Sequence, residues 1–557
     1  METKYKLNIF FVIFTCIIMC HCDKIKEKSA TVGPTKVPGT SVQIDSSPAE
    51  GGIIAIALEG EPVTLNPVLL TDINSHTLCI LIFDGLVSHD AELNYVPRLA
   101  KSWDVSDDKL SITFHLHENV KWHDGQPFTS EDVKFTFKTI MNTEILARSK
   151  ADLFDLVEHV ETPDPYTFKV FYKKPFAPCF ESWETLVIPK HIYGFNKSSE
   201  FIDSSANFKP VGTGPFKFKE AIPGESITLE RNFEYFGGKP YLEKVNFTYV
   251  KSKEEALNLA LNKIVNIAPM DPTQWQLFSG SVDFGKKFST MKIFQLAYDY
   301  IAWNMDGSNP FFNDKNVRIA MSHCLDKKQI IDRILYDLGK PLTGPFMPDS
   351  WAYNPDITPY PFDLDTAKKL LADAGWSQTN DEGTLTKQGI PFEFSILVRD
   401  DQEVRIRISE LLKSNLQKIG IKMRVVPLPF KEWLNRIIET KKFEAAIGGW
   451  NMSIDPDPYN TWYSGNYKNG LNFVKFMNTR ADQLMEDGRI TFDQKQRQKL
   501  YWEFHNVIHE EQPYTFLFVK AFMYACDKRI HNIKSCPKGL LDQYPGIETW
   551  YIPRQLQ

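Results

Sequence analysis

The stretch KLSITFHLHENVKWHDGQPFTSEDVKFTFKTI, residues 109–140, carries the clearest structural pattern in this sequence. Ile112, Phe114 and Leu116 alternate with polar residues, and this period of two is typical of a strand with one buried face. The pair Asp124-Gly125 then predicts a tight turn. A strand and a turn are therefore expected in the first half of the stretch.

The second half of the stretch has the start signals of a helix. Thr129 is a good N-cap residue, and Asp132 three positions later completes a pattern similar to a capping box. His115, His117 and His123 lie nearby, but no cysteine or carboxylate cluster completes a metal site around them. We therefore interpret the three histidines as surface or turn residues that hold no metal.

The composition excludes one broad class of partner. The chain has 557 residues, 43% of them hydrophobic, which is enough for two or more domains. Its net charge of -6 leaves no basic surplus with which to bind a phosphate backbone. We expect small molecules or proteins as partners, and no nucleic acid.

Residues 1–22 have the order of a secretory signal. Two lysines precede an apolar run over residues 7–19, and cysteines follow it. Cys20 or Cys22 occupies the place of the lipid-modified cysteine of a bacterial lipoprotein, so one of the two is predicted to carry a lipid. A signal without lipid, either cleaved or retained as an anchor, is the alternative. Residues 23–50 are polar and rich in Ser, Thr, Pro and Gly, which predicts a flexible tether.

The rest of the chain mixes helical and strand patterns and has no fixed-period repeat. Helical patterns cover residues 252–263, 313–335, 363–376 and 401–420. Strand patterns cover residues 392–398, 421–429 and 443–450, and residues 226–250 have the pattern of a hairpin. The helix within 363–376 is expected to begin at Asp365 and to end at Gly375. The predicted class is mixed α/β.

No segment has the pattern of a catalytic or cofactor site. Residues 280–287, GSVDFGKK, nearly match a phosphate-binding loop, but Lys287 stands where the loop needs a hydroxyl group to hold magnesium. The residues that follow have an extended pattern instead of a helical one. Neither a G-x-S-x-G nor an H-E-x-x-H motif is present. We predict no enzyme activity, no cofactor and no metal.

The cysteines beyond the signal fall into two groups. Cys526 and Cys536 are close in sequence and are candidates for a local disulfide in an oxidising compartment. Cys79, Cys179 and Cys324 lie in apolar or helical contexts, where buried free thiols are expected.

Segments along the whole chain resemble one known family. Residues 99–140 are similar to the signature stretch of the bacterial extracellular solute-binding proteins, family 5, the oligopeptide and dipeptide receptors of ABC transporters. Other similar segments follow the order of that family: VTLNPVL, IFDGLV, VGTGPFKF, FFNDKNVRIAMSHCLDKKQII, DTAKKLLADAGW, GGWNMSIDPDPYNTWYS and EEQPYTFLFV. The resemblance covers residues 51–557. It implies a two-lobed α/β fold of the periplasmic-binding-protein type, of the large class with an inserted subdomain in the first lobe.

Carried onto this sequence, the resemblance divides the chain into seven segments. They are a lipoprotein-type signal peptide (1–22), a tether (23–50), three parts of the first lobe (51–75, 211–297 and 513–557), its inserted subdomain (76–210) and the second lobe (298–512). The hinges are expected near residues 297 and 513, where two strands pass between the lobes.

The resemblance also indicates where a ligand would lie. Trp450 falls in the ligand-facing segment of the family, and peptide-binding members have an Asp three residues later that neutralises the α-amino group of the peptide. Ser453 occupies that position here, with Asp455 and Asp457 further along. The amine anchor is therefore either shifted or absent, and Asp455 is either a ligand contact or a turn former. The predicted ligand-binding residues are Asn74, Tyr300, Trp450, Asn451, Ser453 and Asp455.

These features lead to one principal hypothesis and two alternatives. The principal hypothesis is a lipid-anchored, monomeric receptor on the periplasmic or extracellular face of a bacterial membrane, which captures oligopeptides and delivers them to the permease subunits of an ABC importer. The first alternative keeps this role for an oligosaccharide or another organic solute. The second, from a different class, is a secreted peptide or glycan hydrolase.

Overall fold

The structure is a computed structural model and describes residues 46–145, 147–195, 197–468 and 470–557. The predicted signal peptide and the tether up to residue 45, with Cys20 and Cys22, lie outside these residues. Within the described part, no helix is both long enough and apolar enough to cross a bilayer.

The described residues form a mixed α/β structure. The strands are β1 (Ile53–Glu59), β2 (Val87–His89), β3 (Tyr95–Pro97), β4 (Ala100–Val105), β5 (Ser111–Leu116), β6 (Val157–Asp164), β7 (Thr167–Tyr172), β8 (Phe216–Ile222), β9 (Ser226–Arg231), β10 (Lys244–Val250), β11 (Ile267–Pro269), β12 (Phe288–Phe294), β13 (Ala297–Trp303), β14 (Gly339–Pro341), β15 (Gln378–Thr379), β16 (Leu385–Lys387), β17 (Ile390–Pro391), β18 (Glu393–Arg399), β19 (Lys422–Leu428), β20 (Ala445–Asn451) and β21 (Tyr514–Asp527).

The helices are mostly short, and several are continued by a 3-10 or π turn. They are α1 (Ile73–Ile82), α2 (Ser130–Ile140), α3 (Arg148–Ala151), α4 (Cys179–Trp183), α5 (Lys190–Tyr193), α6 (Ser198–Ile202), α7 (Lys253–Leu261), α8 (Pro272–Phe278), α9 (Val282–Gly285), α10 (Lys315–His323), α11 (Lys327–Gln329), α12 (Leu364–Asp373), α13 (Glu403–Gln417), α14 (Phe430–Leu434), α15 (Tyr459–Trp462), α16 (Thr479–Ile490) and α17 (Gln494–Glu511).

The stretch at residues 109–140 forms the predicted strand, turn and helix. Side chains along β5 alternate between buried and half-buried positions, as the period of two predicts. The turn glycine, Gly125, has a φ of 90°, which a residue with a side chain rarely adopts. Thr129 is the N-cap of α2, and the capping box with Asp132 is formed. The local sequence pattern therefore predicts the secondary structure of this stretch correctly.

The three histidines of this stretch have ordinary structural partners. His115 lies 2.8 Å from Asp104, and the ring of His117 packs on Phe236. His123 accepts a hydrogen bond from the backbone N–H of Gly212 and donates one to the carbonyl of Gly214. Burial lowers the pKa of His123 to about 4, so the ring is neutral. Its two hydrogen bonds fix the turn against residues 212–214.

One long sheet connects most of the chain. Its strand order is β19-β18-β20-β13-β21-β11-β1-β10-β9-β8, with β12 and β14 also paired to β21. β21 has 14 residues. Its first part pairs with β13, and its last part pairs with β12 and β11. β21 therefore connects the part of the sheet that contains β13 with the part that contains β11 and β12.

Four hydrophobic cores lie along this sheet and belong to two groups. Two cores are built from residues 54–293 and 521–552, with Leu338 added. The other two are built from residues 298–519. We call these regions the terminal half and the middle half. The change of core along β21 falls after Val519, within the strand, while the described residues pack as one compact unit. The predicted lobe boundaries therefore stay predictions.

Most of the element predictions are confirmed. The hairpin pattern in 226–250 is the antiparallel pair β9 and β10, and the extended pattern after Lys287 is β12. One helix start was predicted wrongly: α12 is capped by Asp363 and not by Asp365, because the Asp363 carboxylate accepts hydrogen bonds from the next free N–H groups.

The predicted disulfide is wrong. Cys526 and Cys536 are both free thiols, as are the other three cysteines of the described residues. The sulfur of Cys526 lies in the sheet, 3.8 Å from the sulfur of Met291. Cys536 is held in a separate turn, where its thiol donates to the carbonyl of Asp542 at 3.0 Å. Although the two cysteines are close in sequence, they do not form a disulfide, because Cys526 lies in the strand and Cys536 in the turn, where each thiol has a different partner.

Candidate functional site

The segment around Trp450 lies where the two halves meet. β20 ends at Asn451 and pairs with β13 along its whole length. Gly448 and Gly449 keep this strand free of side chains where its neighbours pack closely. A Cβ atom at Gly448 would lie 2.9 Å from the Tyr300 hydroxyl, and one at Gly449 would lie 2.8 Å from the Asp299 carboxylate. The two glycines therefore allow an aromatic ring and a charged cluster to contact the strand.

Trp450 is half-buried and belongs to an aromatic group. Its ring centroid lies 6.1 Å from that of Tyr300, in a stacked arrangement, and 6.1 Å from that of Phe473. Tyr300 is itself stacked on Tyr514 at 4.2 Å and is only 2% exposed. The prediction that Tyr300 contacts a ligand directly is therefore corrected. The Tyr300 ring lies in the core, where it packs against the buried side of Trp450.

The two acidic residues after Ser453, Asp455 and Asp457, each form an ion pair with an arginine. Asp455 is 6% exposed and forms a bidentate pair with Arg497, with distances of 2.7 and 2.8 Å. Asp457 accepts from Arg489 at 2.7 Å. Asp455 is therefore part of a buried ion pair, and the shifted amine anchor considered from the sequence has no free carboxylate at this position.

Three cavities lie at or next to the ends of β13 and β20, and a fourth lies to the side. The largest, the central cavity, measures about 770 Å³ and contains Asn451 in its wall. An apolar cavity of about 310 Å³ lies beside Ser453. A polar cavity of about 270 Å³ lies beside Trp450 and shares Asn451 with the central cavity. A side cavity of about 310 Å³ contains Asn74. The structure thus brings Asn451, Ser453 and Trp450 to adjoining cavities.

The apolar and polar cavities differ in chemistry. The apolar cavity is lined chiefly by Phe294, Leu296, Phe346, Met347, Trp351, Met452 and Ile454, together with Leu93 and Pro537 of the terminal half. In the polar cavity, Asp299 pairs with Arg405 and Lys520, each at 2.8 Å. Burial acts to raise the pKa of Asp299, but the two cations hold it below its usual range. Asp299 therefore carries its charge beside the ends of the strands.

Ion pairs occupy much of the central cavity wall. His89 lies 2.8 Å from Glu184, and Lys538 lies 2.9 Å from Asp542. Although burial works in the opposite direction, the hydrogen bonds that the His89 ring makes to Cys536 and Glu184 raise its pKa to about 10. Lys150 donates to the carbonyl of Pro67 and has a pKa lowered to about 8 by burial.

Glu181 on α4 also lines the central cavity and was missed by the sequence reasoning. Burial raises its pKa to about 8, while a hydrogen bond with Ser453 acts to lower it. Glu181 belongs to the terminal half and Ser453 to the middle half, so the contact crosses between them. No local pattern in the sequence marks Glu181.

Asn74 has a structural role at the side cavity. Its amide donates to the carbonyls of Glu59 and Gly60, which fixes the chain after β1. No group of three or more His, Cys, Asp and Glu side chains within the described residues is placed to hold a metal ion.

Comparison with known proteins assigns the family. The family model described as "Bacterial extracellular solute-binding proteins, family 5 Middle" matches residues 94–472. The chain belongs to this family. It is 31% identical to the oligopeptide-binding protein AppA of Bacillus subtilis, over 98% of each chain.

Solved structures of the family agree with the fold. The structure of Bacillus subtilis AppA with a nonapeptide has a TM-score of 0.72 and 30% identity, covering 91% of this chain and 100% of that one. NikZ of Campylobacter jejuni, solved with Ni(L-His), has a TM-score of 0.72 and 26% identity, covering 90% and 99%. The fold is therefore the two-lobed α/β fold of the periplasmic binding proteins, and the family consists of extracellular substrate-binding proteins.

Proposed function

We propose that this protein is the receptor of an ABC importer, which captures oligopeptides outside the cytoplasmic membrane and delivers them to the permease. The observation that carries this proposal is the central cavity, which is lined by the terminal half and by Asn451 of the middle half, a residue that also lines the polar cavity. A ligand-binding cavity of several hundred Å³ is the usual size for a small organic ligand. The similarity to AppA, an oligopeptide-binding protein, supports the choice of peptide.

The adjoining cavities suit the parts of a peptide. The apolar cavity offers aromatic and aliphatic surface to a side chain. The polar cavity contains Arg399, Arg405 and Lys520 against the single carboxylate Asp299, so it carries an excess of positive charge for a carboxylate of the ligand. Trp450, Asn451 and Ser453 would contact the ligand between these regions.

Capture without turnover is part of the proposal. Among the described residues that line the central cavity, Asp84, Glu184 and Asp542 are each held by a cation and Asp72 caps α1, so Glu181 has no second free carboxylate with which to share acid–base work on a ligand. A hydrolase is the competing function, and recovery of the bound peptide distinguishes the two.

Binding is expected to bring the halves together. β13 and β21 connect them, and a ligand that contacts both halves stabilises only the closed arrangement. Small-angle scattering with and without peptide measures this effect, and ligand should reduce the radius of gyration. An unchanged radius would contradict closure about residues 297 and 513.

A lipid on Cys20 or Cys22 would hold the receptor on the outer face of a bacterial membrane. The receptor would act as a monomer, and the flexible tether would let it reach the permease. Replacing both cysteines by Ser should release the protein from membranes. Membrane retention of the double variant would contradict the lipid anchor and leave the receptor role intact.

The decisive experiment for the function is capture. The purified protein is incubated with synthetic peptides two to nine residues long, washed and denatured, and the released molecules are analysed by mass spectrometry. Intact peptides should be recovered in stoichiometric amounts. Shortened fragments would support a hydrolase. Failure to retain any peptide would contradict the proposal in favour of an oligosaccharide or another organic solute.

A further inference from the structure

Five carboxylates line the central cavity: Asp72, Asp84, Glu181, Glu184 and Asp542. Four of them have strong partners. Asp72 caps α1 and accepts from the Ser75 N–H and hydroxyl. Asp84 pairs with Arg98 at 2.5 Å. As described above, Glu184 pairs with His89 and Asp542 with Lys538.

Glu181 differs from the other four. None of the ion pairs among the described residues includes it, and its hydrogen-bonding neighbour is the Ser453 side chain. Asp455 and Glu184 face it with negative charge, and Lys538 is the cation that acts on it from further away. A carboxylate placed in a cavity beside like charges is stabilised most by an incoming cation.

Two further side chains with acceptor oxygens lie near Glu181. The Ser453 hydroxyl is its hydrogen-bonding neighbour, and Asn451, two residues earlier in the chain, lines the central cavity together with Glu181. An ammonium group has three N–H donors. A carboxylate, a hydroxyl and an amide oxygen supply three acceptors for it, and the carboxylate supplies the opposite charge.

We propose that Glu181, together with Ser453, binds the α-ammonium group of the peptide. The proposal rests on the proposed function, because it names the site that recognises one end of the same ligand. The anchor would come from the inserted part of the terminal half, across the cleft from the segment that contains Trp450. Amine binding would therefore also hold the two halves together.

The electrostatic surroundings of Glu181 support its assignment as the ammonium-binding residue. Burial favours the protonated form of Glu181 in the empty protein, so the ionised form is costly until a cation arrives. The paired carboxylates Asp455 and Asp457 already have arginine partners and gain less from an ammonium group. Glu181 is thus the carboxylate of this region with the largest electrostatic gain on binding an amine.

The test measures preference for a free amine. Peptides of two to nine neutral residues, without Lys, Arg or His, are offered as equal mixtures of free and N-acetylated forms, and captured peptides are counted by mass spectrometry. A third set is N-acetylated and contains one Lys, so that a side-chain ammonium group can be told from the α-ammonium group. The proteins compared are the wild type, Glu181→Gln, and Glu158→Gln as a control at an exposed position of the same region.

The wild type and Glu158→Gln should prefer free amines by about 30-fold or more, as expected for a desolvated charge pair. Glu181→Gln should reduce the preference to less than about threefold. The double variant Glu181→Gln with Ser453→Asp places a new carboxylate beside position 181 and should regain the preference. Because Glu181→Gln preserves side-chain size, its thermal unfolding is measured alongside to confirm that it is folded.

The outcomes separate the two claims. Equal capture of free and acetylated peptides by the wild type, or a preference that survives in Glu181→Gln, would overturn the role of Glu181 and leave peptide binding intact. Capture of only the Lys-containing set would assign the carboxylate to a side-chain ammonium group and overturn the α-ammonium assignment. Capture of no peptide by the wild type would overturn both claims.

Discussion

Two acidic regions face each other at the junction of the halves, and they differ in what their carboxylates contact. In the segment after Trp450, Asp455 and Asp457 are each matched by an arginine of the same half. On α4, Glu181 is directed to the central cavity and contacts Ser453 of the other half. In the first region the carboxylates stabilise the fold through ion pairs. In the second, the Glu181 carboxylate has no ion-pair partner within the described part of the chain and is available to a ligand. Position in a family motif therefore does not decide which carboxylate is available.

The largest effect is expected for Asp455→Asn, which strands Arg497 in a buried site. We expect the free energy of unfolding to fall by about 3–5 kcal/mol. Urea denaturation measures it. The control is Asp401→Asn, which breaks the partly exposed pair with Arg399 and should cost less than about 1 kcal/mol. Unchanged stability of Asp455→Asn, with affinity lost only for free-amine peptides, would make Asp455 the anchor and reverse the comparison.

Trp450→Ala tests the aromatic side of the same segment. Its ring presents apolar surface beside Asn451 and is backed by Tyr300 and Phe473. Removing such an anchor should weaken peptide binding by about 2 kcal/mol or more, measured by calorimetry with the peptide captured most strongly. Phe430→Ala, at an exposed position of the middle half, is the control. Equal affinities of wild type and Trp450→Ala would remove this segment from the binding surface.

The pH dependence of binding distinguishes the two regions further. Glu181 has a pKa of about 8 in the empty protein, and Asp455, Glu184 and Lys538 are the charged groups that face it. Binding of an ammonium group requires the ionised carboxylate, so affinity should fall by about 20-fold as the pH falls from 7.5 to 6. The α-amino group of a peptide, with an ordinary pKa of about 7.7–8.0, is mostly protonated over this range, so its own titration changes the affinity by less than about twofold.

The controls for this prediction remove one partner at a time. Glu181→Gln and an N-acetylated peptide should each give a nearly flat profile over the same range. A profile of the wild type that stays flat, or one that is equally steep in Glu181→Gln, would assign the titrating group elsewhere.

A further effect is expected on the stability of the empty protein. The folded pKa of Glu181, about 8, lies above its ordinary value of 4.5, so the folded state loses stability as the pH rises through this window. Glu181→Gln should therefore melt at a higher temperature than the wild type at pH 8.5 and at the same temperature at pH 4.5. Differential scanning calorimetry at both values checks this. A lower melting temperature of the variant at pH 8.5 would show that the carboxylate stabilises the fold.

Local patterns predicted much of the fold because their causes are local. The alternation in β5, the turn at Gly125 and the capping box of α2 are all set within residues 109–140. The placement of Trp450 beside a cavity followed from the resemblance of its segment to the family. The disulfide failed for the opposite reason, since the partners of Cys526 and Cys536 depend on how the strand and the turn pack.

The charge partners could not be predicted because they depend on tertiary contacts. Arg497 lies 42 residues from Asp455 in the chain, and no spacing rule connects them. Glu181 and Ser453 belong to different halves and meet only in the folded protein. The sequence revealed that Ser453 lacks the expected carboxylate, but the position of the substitute carboxylate required the structure.

A crystal structure of the protein with a captured peptide tests the central claim most directly. The account predicts the α-ammonium nitrogen about 2.7–3.2 Å from a Glu181 carboxylate oxygen, with Asp455 still paired to Arg497. A peptide whose amine lies on Asp455, or whose chain avoids the central cavity, would contradict it.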